Sequence, residues 1–435
     1  EIMPSLVGSE MCIRDRKHII KPSHKDYQEL DHLLFLSKNL YNKALYEVRQ
    51  YYFQSKDDPS VKYKYLNYYA LDKLLKERDD VDYRALLINA SQEVLKLVNQ
   101  NFCAFFKLLS MKRERISSYP NRVQIPKYLD KVKGRQVLTY NFSFLQSKLF
   151  KETGVIQFPR TNIKFKPLHP ESLKQVRIVP KNGYVVIEEI YEKKEKDILG
   201  DNSKFLSIDL GINNLATCSS NVIEPFIIDG RKVKSINQFY NKHKAELQTS
   251  LKGNKRTSKR IKHLTNKRNF KILNYFHKVS KYIVNQAVSH SLNTIVIGYN
   301  KGWKQETNLG KKNNQNFVQI PFEKLIQLIS YKARLQGINV FLQEESYTSQ
   351  VSFLEGDYIP TFGKDDSKKR PSGKRIKRGL YSSPKGLLNA DVNGSLNILR
   401  KFLYQKSNNE DFNSPVGKSH VDWPVRIKNP QRIKL

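Results

Sequence analysis

Phe205-Leu206-Ser207-Ile208-Asp209-Leu210-Gly211-Ile212-Asn213-Asn214-Leu215-Ala216-Thr217 is the stretch whose reading decides the fold. An apolar run of strand character carries one carboxylate at its centre, turns at Gly211 and Asn213-Asn214, and returns as a second apolar run. An unpaired carboxylate is expensive to bury, so an aspartate in a core strand needs hydrogen-bond partners or a metal ion. Taken alone, the stretch suits equally well an aspartate that merely forms a turn and closes a hairpin.

Working outward, three later segments belong with it. They are Ile297-Gly298-Tyr299-Asn300-Lys301-Gly302-Trp303-Lys304-Gln305, Glu344-Glu345-Ser346-Tyr347-Thr348-Ser349-Gln350 and Asn389-Ala390-Asp391-Val392-Asn393-Gly394-Ser395-Leu396-Asn397-Ile398. In this order, the four segments resemble the RuvC-type, RNase H-like nuclease domain of the transposon-encoded TnpB (OrfB) family. The resemblance is strong over residues 205–404. It is weaker upstream, at Ser37-Lys38-Asn39-Leu40-Tyr41-Asn42 and Lys174-Gln175-Val176-Arg177-Ile178-Val179-Pro180. That family comprises RNA-guided DNA endonucleases related to type V CRISPR effectors, many carrying the older label transposase. The fold it implies is α+β and multidomain: an RNase H-like (RuvC) α/β nuclease domain plus a small β-barrel wedge domain with an inserted helical recognition lobe.

Composition narrows the partners. The chain has 435 residues, 39% of them hydrophobic, enough for two or three domains with real cores. Lys and Arg number 77 against 41 Asp and Glu, a net charge of +36 that a polyanionic partner accounts for most simply. The 24 Tyr and 22 Phe add stacking surfaces for unpaired bases. No apolar run approaches the roughly 20 residues that span a bilayer, so nucleic acid is preferred to a membrane. Only Cys12, Cys103 and Cys218 occur, well separated, which excludes a disulfide framework and suits a reducing cytoplasm.

In chain order, residues 1–16 show no period and do not resemble the family, as an artefact or a disordered lead would; the natural start is expected to be missing or altered. Residues 17–23 read as a first wedge strand, and 24–118 as the helical lobe, with apolar residues at helical spacing over 27–53, 66–76 and 83–112. Over 119–197 the period becomes alternating, in short runs at 136–142, 155–158, 163–165, 176–179 and 184–191, the expected barrel. The charged linker 192–197 leads into the first part of the nuclease domain, 198–348. An insertion, 349–388, the last helix, 389–406, and a flexible, peripheral tail, 407–435, complete it.

The resemblance places a metal site on Asp209, Glu345 and Asp391, each the acid of a family-like segment. In most of the family the strand here ending at Gly298 carries a catalytic glutamate, and glycine has no side chain to ligate a metal. A strand at residues 338–343 would lie beside it, about 4.8 Å away. A glutamate at its end has the length to reach back over Gly298. Glu345-Ser346-Tyr347-Thr348-Ser349 resembles the arrangement of Fanzor relatives, where the glutamate lies just before the Thr-Ser pair, so Glu345 is chosen over Glu344. Asp391 read in isolation is a helix cap. Hard oxygen ligands suit Mg²⁺ or Mn²⁺, and two such ions can activate water and clamp a scissile phosphate. Most relatives also bind zinc through Cys-x-x-Cys pairs in the insertion, but residues 350–388 hold neither Cys nor His. No zinc is expected, and packing must hold that segment.

Three basic stretches are candidates for nucleic-acid contact. Residues 252–271 include Arg256, Lys259, Arg260, Lys262, Lys267 and Arg268. A loop over 299–316 carries Trp303 and Lys304, and a second over 368–378 carries Lys374, Arg375 and Arg378. The leading functional reading is an RNA-guided, divalent-metal-dependent DNA endonuclease in a bacterial or archaeal cytoplasm, associated with the nucleoid. Its partners are guide RNA and double- and single-stranded DNA, with no small-molecule substrate and no membrane. The alternative is a nuclease-inactive, RNA-guided repressor, kept open by Gly298. A strand-transferring transposase is a third reading, but no paired His or catalytic Tyr motif supports it.

Overall fold

The computed structural model describes residues 11–58, 65–113, 123–200, 202–253, 255–300, 318–361, 371–406 and 429–435. The chain forms two compact units, Glu1–Lys193 and Lys194–Leu435, divided at the start of the charged stretch 192–197. Among the described residues no helix is long and apolar enough to cross a membrane.

The first unit opens with β1 (Met11–Ile20) and continues into α1 (Tyr27–Asp57), α2 (Tyr68–Glu77), α3 (Val81–Arg84) and α4 (Ile88–Arg113). The helical period holds: Leu30, Leu33, Leu34, Leu40, Ala44, Leu45 and Val48 of α1 are all buried. Side chains mark the helix starts, Asn67 accepting from the Ala70 amide and Asp80 from that of Tyr83. There follow β2 (Leu138–Asn141), α5 (Lys148–Thr153), β3 (Ile156–Gln157), β4 (Lys164–Phe165), β5 (Leu173–Lys181) and β6 (Tyr184–Lys194). An Asn182-Gly183 turn with Gly183 at φ +88° joins β5 to β6.

Two expectations need correction here. Among the described residues the sheet, ordered β1-β6-β5-β2, is open at both edges rather than a closed barrel, and β3 and β4 pair only with each other. Strands of four, two and two residues in β2, β3 and β4 are too short to carry a continuous ladder from one edge to the other. The first strand also begins at Met11, well before the expected residue 17. Its partner is β6, which follows the helices in sequence, so α1 to α4 are interposed between neighbouring strands.

The second unit contains β7 (Phe205–Leu210), β8 (Asn214–Ser220), β9 (Phe226–Asp229), α6 (Arg231–Thr249), α7 (Lys259–Ser289), β10 (Thr294–Gly298), α8 (Phe322–Arg334) and β11 (Asn339–Gln343). Then come β12 (Lys374–Lys377), β13 (Leu380–Ser383), β14 (Gly386–Leu388), α9 (Ala390–Lys406) and β15 (Gln431–Ile433). Six strands form one sheet, ordered β11-β10-β7-β8-β9-β15. β10 runs parallel to both β7 and β11, whereas β7, β8 and β9 form an antiparallel meander.

Strand alternation gives this sheet two unlike faces. Leu206, Ile208, Ala216, Cys218, Ile295 and Ile297 face one way and join Phe276, Val279, Ile283, Phe322, Leu325 and Ile329 of α7 and α8 in the main core. Phe205 and Val296 face the other way, against Ile398 and Leu399 of α9. On that side the Ser207 and Ser395 hydroxyls meet at 3.0 Å. The expected flexible tail is corrected in part, because β15 pairs parallel with β9 and Ile433 and Leu435 pack against the main core. Two apolar residues in a polar stretch are too faint a period to show in the sequence.

Candidate active site

The face under α9 collects the acids. Asp209 on β7 pairs across the sheet with Thr217. One residue beyond the Ile297–Ile208 pair, Gly298 stands beside it on β10. Two glycines make room. A Cβ on Gly394 of α9 would come within 3.1 Å of Asp209 Oδ2. A Cβ on Gly298 would meet Glu345 Oε2 at 2.5 Å and Ile398 Cδ1 at 2.6 Å. The Glu345 carboxylate thus occupies the space that Gly298 leaves open.

Electrostatics mark these acids as unusual. Burial, then the negative charge of Asp391, pushes the Asp209 carboxyl up to about 7, against a smaller downward pull from Arg375. Burial, then Asp209 and Glu344, pushes Glu345 up to about 8. Glu345 Oε2 is buried and, among the described residues, has no hydrogen-bond partner. Glu344 differs in kind. Although burial would raise its pKa, it is held below the usual value by the buried Lys401 ammonium and by Ser346, whose amide donates to it at 2.8 Å.

Helix α9 positions both the third acid and the loop of the second. Its start is capped by Asn389, whose Oδ1 accepts from the amides of Asp391 and Val392 at 3.0 and 3.2 Å. The capping role that Asp391 has in isolation is therefore filled, and its carboxylate turns to Asn214, which donates at 2.5 Å, and to Arg375 at 3.1 Å. Further along α9, Asn397 donates to the carbonyls of Thr348 and Val351. The Thr348 hydroxyl donates to the Glu345 carbonyl at 2.8 Å. Tyr347 lies between them at φ +65°, in the left-handed region that a bulky side chain enters only under constraint.

A cavity of about 480 Å³ opens over this face. Its lining includes Asp209 and Asp391 together with Arg231, Lys234, Arg375, Arg378 and Arg432. Acids below a basic rim match a phosphodiester, whose charge the rim neutralises. The hard oxygen donors, one of them orphaned, fit a divalent cation such as Mg²⁺. Among the described residues no three His, Cys, Asp or Glu side chains form one ligand set, and Asp391 is engaged by Asn214 and Arg375.

The other basic candidates separate. Arg256, Lys259 and Arg260 are exposed ahead of and at the start of α7, but Arg268 is committed to the fold, donating to Asn237 and to the Gln319 carbonyl. Lys374 and Arg375 lie on β12 and Arg378 in the turn that follows, so this stretch is part of a three-stranded sheet rather than a loop. Trp303 and Lys304 lie outside the described residues. Sequence reasoning missed Asn214, Arg231, Lys234, Asn389 and Arg432. Asn214 had a visible signal, the Asn pair of the opening stretch, but it was absorbed by the turn.

A family profile described as "Probable transposase" (OrfB of the IS605 type) matches residues 190–304, and one described as "Cas12f1-like, TNB domain" matches 322–398. The TnpB-like protein ORF457 of Acidianus two-tailed virus is 24% identical over 439 residues, covering 89% of this chain and 86% of its own. Among solved structures, a Cas12f1–sgRNA–target DNA complex is 14% identical with a TM-score of 0.49, covering 86% of this chain and 83% of that one. The mini RNA-guided endonuclease CRISPR-Cas phi3 is 10% identical with a TM-score of 0.46, covering 90% and 92%. The fold is of mixed α and β structure. The chain is similar to the TnpB (OrfB) family over residues 190–304 and 322–398 and to a TnpB-like viral protein over most of its length.

Proposed function

We propose that the protein is an RNA-guided DNA endonuclease with one metal-dependent cleavage centre built from Asp209, Glu345 and Asp391. The observation that carries this reading is the Glu345 carboxylate lying in the space over Gly298, in the electrostatic reach of Asp209. The family's usual glutamate position is empty of side chain, and a neighbouring strand supplies the acid instead.

In this reading the six-stranded unit is the RNase H-like nuclease domain, the open sheet of the first unit the wedge, and α1 to α4 the recognition lobe. Asp209, Glu345 and Asp391 would hold Mg²⁺ or Mn²⁺, which when bound supplies an activated water and neutralises charge on the scissile phosphate. The protein's own groups do the rest. Arg231, Lys234, Arg375 and Arg378 bind the DNA backbone at the cavity. Sequence selection comes from base pairing of a bound RNA with the target strand, and the protein reads duplex shape and a short flanking motif.

The test is expression with the native flanking DNA, sequencing of the co-purified RNA, and cleavage of a plasmid library in Mg²⁺. A discrete RNA and RNA-dependent cutting are expected. Asp209→Ala and Asp391→Ala should abolish cutting while gel-shift affinity stays near wild type, since they remove ligands rather than phosphate-binding cations. No discrete RNA would overturn guidance, and RNA-dependent binding without cleavage would make the protein a guided repressor.

A further inference from the structure

We infer that Arg432, on β15, is a positioning residue for Asp391, acting through the Asn214 side chain. Its functional consequence rests on the endonuclease reading; its geometry does not.

The register places it. Asp209 pairs with Thr217, Thr217 with Ile227, and Ile227 with Arg432, one cross-strand row over four strands. Ile433 and Leu435 turn into the main core, and alternation therefore puts Arg432 on the face that carries Asp209. Three strand spacings separate the two backbones, about 14 Å. At that distance Arg432 addresses the centre through an intermediary.

The intermediary is Asn214. Arg432 Nη2 donates to Asn214 Oδ1 at 2.8 Å, and Asn214 Nδ2 donates to Asp391 Oδ2 at 2.5 Å. A guanidinium only donates, so it must face the amide oxygen, which leaves the amide nitrogen for the carboxylate. The guanidinium and the carboxylate fix the amide together, since a half-turn would set its oxygen against Asp391 and its nitrogen against Arg432. The guanidinium is itself anchored, with Nη1 3.9 Å from Asp229 Oδ2, the carboxylate that also holds Arg231. Arg375 fixes the other oxygen of Asp391 from β12. The acid is thus oriented from two sides, by a hairpin that precedes α9 and by a strand that follows it. Partners at this remove from a metal ligand are worth about 10- to 100-fold in metal affinity or activity.

The test uses the full chain with Arg432→Met, which keeps the apolar stem and removes the donors, Arg432→Lys, Asn214→Ala, and the Met and Ala changes combined. Mn²⁺ affinity of the nucleic-acid-free protein is measured by electron paramagnetic resonance, alongside melting temperature, gel-shift affinity and cleavage rate. Arg432→Met and Asn214→Ala should each weaken Mn²⁺ binding and slow cleavage by about 10- to 100-fold. The double variant should be no worse than Asn214→Ala, Arg432→Lys should recover part of the loss, and melting temperature and DNA affinity should stay at wild-type values. Additive losses, or unchanged Mn²⁺ affinity in Arg432→Met, overturn the inference. Weakened DNA binding with Mn²⁺ binding intact overturns it too, in favour of a phosphate contact. Wild-type protein that binds Mn²⁺ but never cuts sinks the endonuclease reading alone, and the Mn²⁺ comparison still decides the coupling.

Discussion

Two glutamates adjacent in sequence sit in opposite environments, and the difference is physical rather than positional. Glu344 is neutralised by Lys401, whereas Glu345 is buried with an oxygen that has no partner among the described residues. Glu345→Gln should therefore cut cleavage by orders of magnitude, since the near-isosteric amide brings no negative charge to a cation, while Glu344→Gln mainly lowers the melting temperature; comparable activity in both variants would dissolve the distinction. The raised values of Asp209, about 7, and Glu345, about 8, give a pH test. In the unfolded chain both acids ionise near pH 4, so between pH 5 and 8 the folded state holds protons that the unfolded state has lost. Stability in metal-free buffer then falls as pH rises through that window. Asp209→Asn removes part of the penalty, so it should melt higher than wild type at pH 8 and nearly level with it at pH 5; a gap independent of pH would contradict the assignment. Gly298→Ala offers a steric counterpart: its methyl meets Glu345 and Ile398 at under 3 Å, and overpacking of this kind costs about 1–3 kcal/mol. Much of this was legible beforehand, because a glycine where an acid is expected and a Glu beside a Thr-Ser pair are both visible as letters. The Lys401 partner of Glu344 was not, since 57 residues separate them.

At the scale of elements, α9 organises the centre through polar residues on its buried side. Asn393 brackets Val351 and Phe353, Asn397 holds Thr348, and the Arg400 guanidinium reaches the carbonyls of Ser352 and Asp357. Ahead of β12 a carboxylate ties Ser352 to Ser372: Asp357 accepts from the Ser352 amide at 2.7 Å and from the Ser372 amide and hydroxyl at 3.1 and 2.6 Å. Phe353, Tyr381, Leu388 and Val392 pack beneath it in a small core of their own. Losing such a knot of charge-assisted bonds costs on the order of 2 kcal/mol, so Asp357→Ala should lower the melting temperature, whereas a zinc-selective chelator should leave the wild type unmoved. One tightly bound zinc per chain, found by metal analysis, would refute this account. The absence of Cys and His told the sequence reader that packing must serve, but not how. That a lone Asp does the tying depends on two serines 20 residues apart, which no spacing rule connects.

For the whole molecule, the helical and alternating periods located most elements, since burial of one face imposes them. What stayed hidden is long-range: β15 completing the second sheet. Edge strands are recruited by backbone hydrogen bonds, which leave the least trace in side chains. The net charge of +36 was legible at once and bears on how the protein selects DNA. A surface of that kind binds any phosphate backbone, and a protein that neutralises six to ten phosphates loses roughly 10³- to 10⁵-fold in affinity between 50 and 200 mM salt. Stripped of RNA, the protein should therefore bind matched and scrambled duplexes equally, with a steep salt dependence. Loaded with its RNA, much of that charge is spent on the RNA, and base pairing adds a term that salt screens far less. The loaded complex should prefer the matched duplex, and its salt slope should be shallower. Gel shifts of both forms on both duplexes across a salt series measure this directly. Sequence preference in the RNA-free protein, or identical slopes with and without RNA, would mean that the protein itself reads DNA and that the guided reading is wrong.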